Sequence, residues 1–202
     1  MSAELVVVVC AANVCRSPLA ELILKRELSG CDEIRVESAG TRVRAPAEIC
    51  EMVAARGEGE VWRAQVQSHR ARMFTEDLLR EASLILVADR EVRSEVVRSV
   101  PEARNRVFTF REAALLAEGF DTEQATHLGG VVARFVMHLD RTRALRGRPT
   151  RRRSRCRRRR EVDWSSIQDG HGRSARSHTA AADGVEAALA DIAAALVSAR
   201  GA

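Results

Sequence analysis

Tyrosine is missing altogether from the 202 residues, and aromatic side chains together make up 3%. With so few rings, platforms on which nucleic-acid bases could stack are scarce. The core must instead be aliphatic and alanine-rich, and a hydrophobic content of 46% supplies enough of both. No apolar stretch approaches the ~20 residues of a spanning helix or the length of a secretory leader; the strongest is the short run Leu5 to Val9. The cysteines, Cys10, Cys15, Cys31, Cys50 and Cys156, are odd in number and contain no C-x2-C pair. Nor do His69, His127, His138, His171 and His178 fall at zinc-site spacings along the chain. The expectation is a protein of the reducing cytoplasm with no membrane association, no metal and no cofactor.

Lysine is nearly absent too, Lys25 standing against 32 arginines. The formal charge of +5 misleads about the globular part, because without the twelve arginines between Arg141 and Arg160 it would be −7. The basicity belongs to an appendage. The segment at about 146–162 has no hydrophobic periodicity and repels itself, so it reads as a disordered Arg-rich insertion before the last helix of a single domain covering 1–202. Such a tract could bind nucleic acid or acidic lipid by counterion release. With no interleaved aromatics it reads better as a solvated loop, and nucleic acid is not expected as a partner.

Leu5-Val6-Val7-Val8-Val9 is β-branched, continuous and too short for a buried helix, which is the pattern of a central strand in a parallel sheet. An apolar helical stripe follows from Pro18 to Leu28, with Ser17 and Pro18 read as N-cap and first helical residue. A second strand is expected at Glu33 to Glu37, then a turn at Ser38-Ala39-Gly40-Thr41 and a helix around Ala47 to Ala55. Further strands are expected at Ser83 to Val87 and Arg106 to Phe108. Helices are expected at Thr75 to Glu81, Glu91 to Val100, Glu112 to Ala117, Thr122 to Leu145 and Ser174 to Ala199, and the polar stretch up to Ser68 is read as loop. The economical architecture is α/β: a three-layer sandwich, with a four-stranded parallel sheet and helices on both faces.

Between the first strand and first helix lies Cys10-Ala11-Ala12-Asn13-Val14-Cys15-Arg16-Ser17-Pro18. A loop at that place can wrap an oxyanion so that successive backbone N–H groups and the helix N-terminus face its oxygens, while Arg16 adds a bidentate fork. The same positive field favours a thiolate on Cys10, the nucleophilic form.

The segment resembles the signature of the low-molecular-weight protein tyrosine phosphatases, bacterial type, which runs Cys-x-Gly-Asn-x-Cys-Arg-Ser-Pro. It differs in having Ala12 where glycine is usual, a change expected to strain the loop. The resemblance implies that family's fold and a hydrolase acting on phosphate monoesters through a phosphocysteine. Cys10 would be the nucleophile, Arg16 the phosphate clamp, and Ala11, Ala12, Asn13, Val14, Cys15 and Ser17 the rest of the phosphate-binding loop. It also implies that Ser38, in Ser-Ala-Gly-Thr, and His69, in Ser68-His69-Arg70-Ala71-Arg72, support the loop together with Asn13 and Ser17. Cys15 could trap an oxidised Cys10 as a disulfide, or simply pack beneath the loop.

Expelling an alkoxide or phenoxide needs a proton donor. The family takes it from an Asp-Pro-[Tyr/His] motif before the last helix, and the best match is Ile167-Gln168-Asp169-Gly170-His171-Gly172, which places the acid at Asp169. Asp163 is the runner-up. Gly170 in place of proline is expected to loosen this loop. The implied substrates are a phosphotyrosine protein or a small aryl phosphate. A thioredoxin-coupled arsenate reductase shares the fold and loop but needs relay cysteines, and none lies between Cys50 and Cys156. A non-catalytic phosphate- or nucleic-acid-binding protein of the same fold remains a second alternative.

Overall fold

Strand β1 (Glu4–Cys10) is buried from Leu5 through Cys10 on both sides, which is why its sequence shows no polar alternation. In the computed structural model, which describes residues 3–120, 130–146 and 163–198, it pairs in parallel with β2 (Ile34–Gly40) on one side and β3 (Leu84–Val87) on the other. β3 pairs in parallel with β4 (Val107–Thr109), giving the order β2-β1-β3-β4. Val6 and Val8 face one core with α1 (Arg16–Glu27), α7 (Val131–Arg146) and α8 (Ala175–Ser198). Leu5, Val7 and Val9 face another with α4 (Glu76–Glu81) and α5 (Arg90–Ser99). The expected three-layer α/β sandwich is thus the observed one. Two short helices, α2 (Glu51–Ala54) and α3 (Glu60–Ser68), follow β2, and α6 (Phe110–Leu116) follows β4.

The order reverses between β1 and β3. The carboxyl ends of β1, β2 and β3 therefore surround a crevice at the switch point, where open parallel sheets bind ligands. Glu4, at the other end of β1, caps α7 by accepting from the Val132 and Ala133 amides at 2.9 and 2.8 Å.

Several expected elements shift, each for a physical reason. Ser38, Ala39 and Gly40 are not a turn but the last residues of β2, because the register Val8 to Ser38, Val9 to Ala39 and Cys10 to Gly40 extends pairing to the strand end. α1 starts at Arg16 with Cys15 at its N-cap, since the Ser17 hydroxyl is turned to Cys10 instead of capping. The helix expected over 47–55 shrinks to four residues because the backbone before it serves the loops: Cys50 N donates to Val14 O and Ala47 O accepts from Ala71 N. Within the stretch read as loop, α3 forms around one buried side chain, Trp62, whose Nε1 donates to Ala54 O at 2.9 Å. The first residues of the helix expected from Thr122 and nearly all of the Arg-rich insertion lie outside the described residues; Arg146 ends α7.

Candidate active site

The loop from Cys10 to Arg16 is shaped by what its carbonyls bond to. Cys10 O accepts from Thr41 N, Ala11 O from Arg42 N and Val14 O from Cys50 N, at 3.0, 2.8 and 3.1 Å. Asn13 O accepts from His69 Nε2 at 2.9 Å. No peptide here is cis, so each carbonyl is opposed by the N–H of the following residue. Carbonyls drawn outward from the loop turn the amides of Ala11, Ala12, Val14 and Cys15 to its inner side. That makes a nest of donors at the start of α1.

Asn13 is the hub. It is fully buried, its Nδ2 donates to Ser17 Oγ at 3.0 Å and Ser38 Oγ at 2.9 Å, and its Oδ1 accepts from Arg72 N at 3.0 Å. It is also the one non-glycine residue with positive φ among the described residues, at 55°. The strain expected at Ala12 therefore falls on Asn13, a residue that tolerates it. Ser38 and His69 both reach the loop through Asn13, one at its side chain and one at its carbonyl. Gly40 is required by proximity: a β-carbon there would lie 2.7 Å from Ala11 O and 3.1 Å from Asn13 N.

Cys10 Sγ accepts from Ser17 Oγ at 3.0 Å and from Asn13 N at 3.2 Å, at the base of the nest. Arg16 is 3% exposed. Its Nη1 donates to Asp89 Oδ2 at 2.8 Å and to Ile167 O at 2.9 Å, and its Nη2 meets Asp169 Oδ2 at 2.9 Å. Burial opposes the guanidinium charge, but attraction to Cys10, Asp169 and Asp89 outweighs it and holds the group above its ordinary range. The structure thus brings Cys10, Arg16 and Asp169 to one crevice. Asp89, the N-cap of α5, was not singled out in the sequence because Asp before a helix reads only as a cap.

Asp163 is otherwise engaged. Its carboxylate accepts from Ser165 N, Ser165 Oγ and Ser166 Oγ at 3.2, 2.8 and 2.7 Å. Burial would raise this carboxyl, but the bonds from Ser166 and Ser165 prevail and keep it below the usual value. A carboxylate so held is suited to fixing a turn. Gly170 also differs from expectation: a β-carbon there would lie 2.5 Å from His178 Cα and 2.6 Å from Ser177 O. The missing β-carbon lets the loop sit directly on the first turn of α8.

Cys15 sends its thiol away from the nest. Its Sγ lies 2.9 Å from Cys50 Sγ and 3.1 Å from His171 Nδ1, and Cys50 Sγ lies 3.4 Å from His178 Nε2. The Cys15 thiol is pushed up strongly by its hydrogen bond to Cys50 and by burial, while Cys50, accepting that bond, is drawn down to about 5. Ligand atoms of Cys15, Cys50, His171 and His178 all lie within 4.8 Å of one another, a set able to hold a metal ion. Spacing along the chain, on which the expectation of no metal rested, is no guide to residues that four separate segments deliver. No described helix is long and apolar enough to cross a membrane.

Comparison with known proteins bears on this geometry. Residues 5–128 match the model of the family described as low molecular weight phosphotyrosine protein phosphatase. Among curated relatives, the low molecular weight protein-tyrosine-phosphatase Etp of Escherichia coli K12 is 32% identical over 107 residues, which is 52% of this chain and 68% of that protein. Among solved structures, the tyrosine phosphatase AmsI of Erwinia amylovora superposes with a TM-score of 0.58 at 20% identity, covering 94% of this chain and 90% of that one. The arginine phosphatase YwlE of Geobacillus stearothermophilus gives 0.59 at 18% identity, covering 96% and 94%. Asp169 lies beyond the residues that the family model matches.

Proposed function

The chain belongs to the low molecular weight phosphotyrosine protein phosphatase family, and on that footing we propose that it hydrolyses phosphotyrosine-type monoesters with Cys10 as nucleophile, Arg16 as clamp and Asp169 as general acid. The enzyme is a phosphoric monoester hydrolase that works through a phosphocysteine. Cys10 Sγ attacks phosphorus in line and the bond to the leaving oxygen breaks. Inward amides of Ala11, Ala12, Val14 and Cys15 and the Arg16 guanidinium hold the equatorial oxygens, where charge accumulates. Phosphate taking over Arg16 releases Asp169 from its 2.9 Å ion pair; the freed carboxylate takes up a proton from solvent and then gives it to the leaving oxygen. Asp169 then takes a proton from the water that cleaves the sulfur–phosphorus bond. Ser38 and His69 act through Asn13 and keep the nest rigid.

The observation that carries this reading is the convergence on Cys10 Sγ of Ser17 Oγ and Asn13 N, with Arg16 closing the same loop. One domain over 1–202 fits the way α8 packs along α1 and completes the large core. The proposed substrates are phosphorylated proteins or small aryl phosphates in the cytoplasm. Hydrolysis of an aryl phosphate by wild type, Cys10→Ser and Asp169→Asn tests the assignment. Cys10→Ser should have no turnover, and Asp169→Asn should lose about 10²–10⁴ in kcat, with the larger loss on alkyl esters. Turnover retained by Cys10→Ser refutes the reading.

A further inference from the structure

We propose that Cys15, Cys50, His171 and His178 bind one zinc ion tetrahedrally, fastening the Asp169 loop to the phosphate loop and to the start of α8. The four ligands come from four segments: the residue before α1, the residue before α2, the loop after Asp169 and the first turn of α8. The catalytic scheme uses the Cys15 amide but none of these four side chains.

The geometry is near that of a closed site. With zinc–sulfur and zinc–nitrogen bonds of about 2.3 and 2.0–2.1 Å, a tetrahedron places its ligand atoms roughly 3.3–3.8 Å apart. Of the observed contacts, 3.4 Å lies in that range and 2.9 and 3.1 Å lie below it, while no pair in the set exceeds 4.8 Å. Binding would open the close pairs and draw in the widest, each by about 1 Å or less. Two thiolates and two neutral imidazoles suit zinc and disfavour magnesium or calcium, which take oxygen ligands. On binding, the proton that Cys15 shares with Cys50 passes to solvent, and two thiolates neutralise the dication.

A disulfide between Cys15 and Cys50 is the competing use of these sulfurs. The 2.9 Å between the sulfurs lies midway between the about 2.05 Å of a disulfide and the roughly 3.8 Å of two thiolates on zinc. What favours the metal is that a disulfide would leave without purpose two imidazoles that each bring a ring nitrogen to a sulfur. The convergence of those imidazoles has its own cause in the fold. Gly170 carries no β-carbon, so the loop descends onto Ser177 and His178, and the rings of His171 and His178 come to 5.7 Å between centroids, edge to face. His171 is exposed, which gives an ion a way in. Where the family pattern stiffens this loop with proline, a metal would stiffen it here. Binding itself does not depend on the phosphatase assignment, because Cys10, Arg16 and Asp169 are not ligands.

The test uses the tag-free full chain under a phosphine reductant, loaded with zinc and desalted, with zinc per chain measured by elemental mass spectrometry. One zinc per chain is expected for wild type and for Cys31→Ser, with stoichiometric binding lost in Cys50→Ser and His178→Ala. Cobalt-loaded wild type should show the intense visible bands of a tetrahedral ion and thiolate-to-metal charge transfer in the near ultraviolet, a reading that needs no variant to fold. A wild type that elutes free of zinc, variants that retain as much as wild type, or a pale cobalt spectrum without charge transfer would each overturn the proposal.

Discussion

Arg16 and Asp89 form a 2.8 Å ion pair that ties the loop after β1 to the segment after β3. Asp89 also caps α5, its Oδ1 accepting from Val92 N at 2.9 Å. The two duties can be separated. Asparagine caps a helix about as well as aspartate, so Asp89→Asn should lose only the ion pair, weakening the hold on Arg16 and lowering stability to the extent that a buried guanidinium loses a partner. We expect kcat/KM for an aryl phosphate to fall by about tenfold, equivalent to about 1.4 kcal/mol. Asp89→Ala should lose the same activity and be less stable than Asp89→Asn by about 1 kcal/mol, the usual worth of an N-cap. Steady-state kinetics and urea unfolding of both variants distinguish the roles; equal stability in the two would remove the cap from the account.

Asn13→Ala removes a buried hub. Its two donated bonds and one accepted bond disappear, and alanine must then take a φ near 55°. Each bond is worth about 1 kcal/mol and the left-handed backbone roughly 1 kcal/mol more for alanine, so a loss of roughly 3–4 kcal/mol is expected in urea unfolding. Ser38→Ala deletes one of those bonds and should cost roughly 1 kcal/mol. If the two variants unfold at the same urea concentration, Asn13 is not the centre of the loop.

What could be read in advance was what the chain encodes locally. Leu5 to Val9, the Cys10 to Arg16 spacing and the stripe on α8 all lie within contiguous segments, so pattern and propensity determine them. Ser38 and His69 were legible through resemblance to a family motif. Asp89 was not, because an aspartate before a helix is already explained as a cap and nothing in sequence says its second oxygen faces Arg16. The grouping of Cys15 with Cys50, His171 and His178 was hidden for the same reason, since no two of these share a spacing that metal sites use. Trp62 is the one buried side chain of α3, with Val66 partly buried against the core, too little apolar content to register as helical periodicity.

Gly170 yields a prediction opposite to the one its sequence context suggests. Proline is the family's residue at this position, yet any β-carbon would collide with the α8 backbone at 2.5–2.8 Å, atoms that cannot rotate away. Gly170→Pro and Gly170→Ala should therefore both push the loop off α8, carrying Asp169 from Arg16. Both variants are expected to lose activity, most on alkyl phosphates, where the leaving oxygen depends most on the acid. A Gly170→Pro variant with activity equal to wild type would show that the loop does not need this close approach.

Asp163 sets a pH dependence of stability distinct from catalysis. Its carboxylate fixes Ser165 and Ser166, and Ser166 Oγ in turn accepts from Arg90 N at 3.1 Å. The next residue, Ile167, donates to Ala88 O at 2.9 Å and accepts from Arg16 Nη1 at 2.9 Å, so the turn holds this segment beside the end of β3. Because its folded value lies below the ordinary one, the unfolded chain takes up a proton here more readily than the folded one. The contribution is complete above the ordinary carboxylate range and is lost as pH falls through the depressed value. Asp163→Asn should thus be less stable than wild type by about 1 kcal/mol at neutral pH. The gap should close in acid, where wild type is protonated as well. Its kcat should stay within about twofold of wild type, against the 10²–10⁴ loss expected for Asp169→Asn. A stability gap that persists at low pH would place the effect in packing, and a collapse of kcat would move the general acid from Asp169 to Asp163.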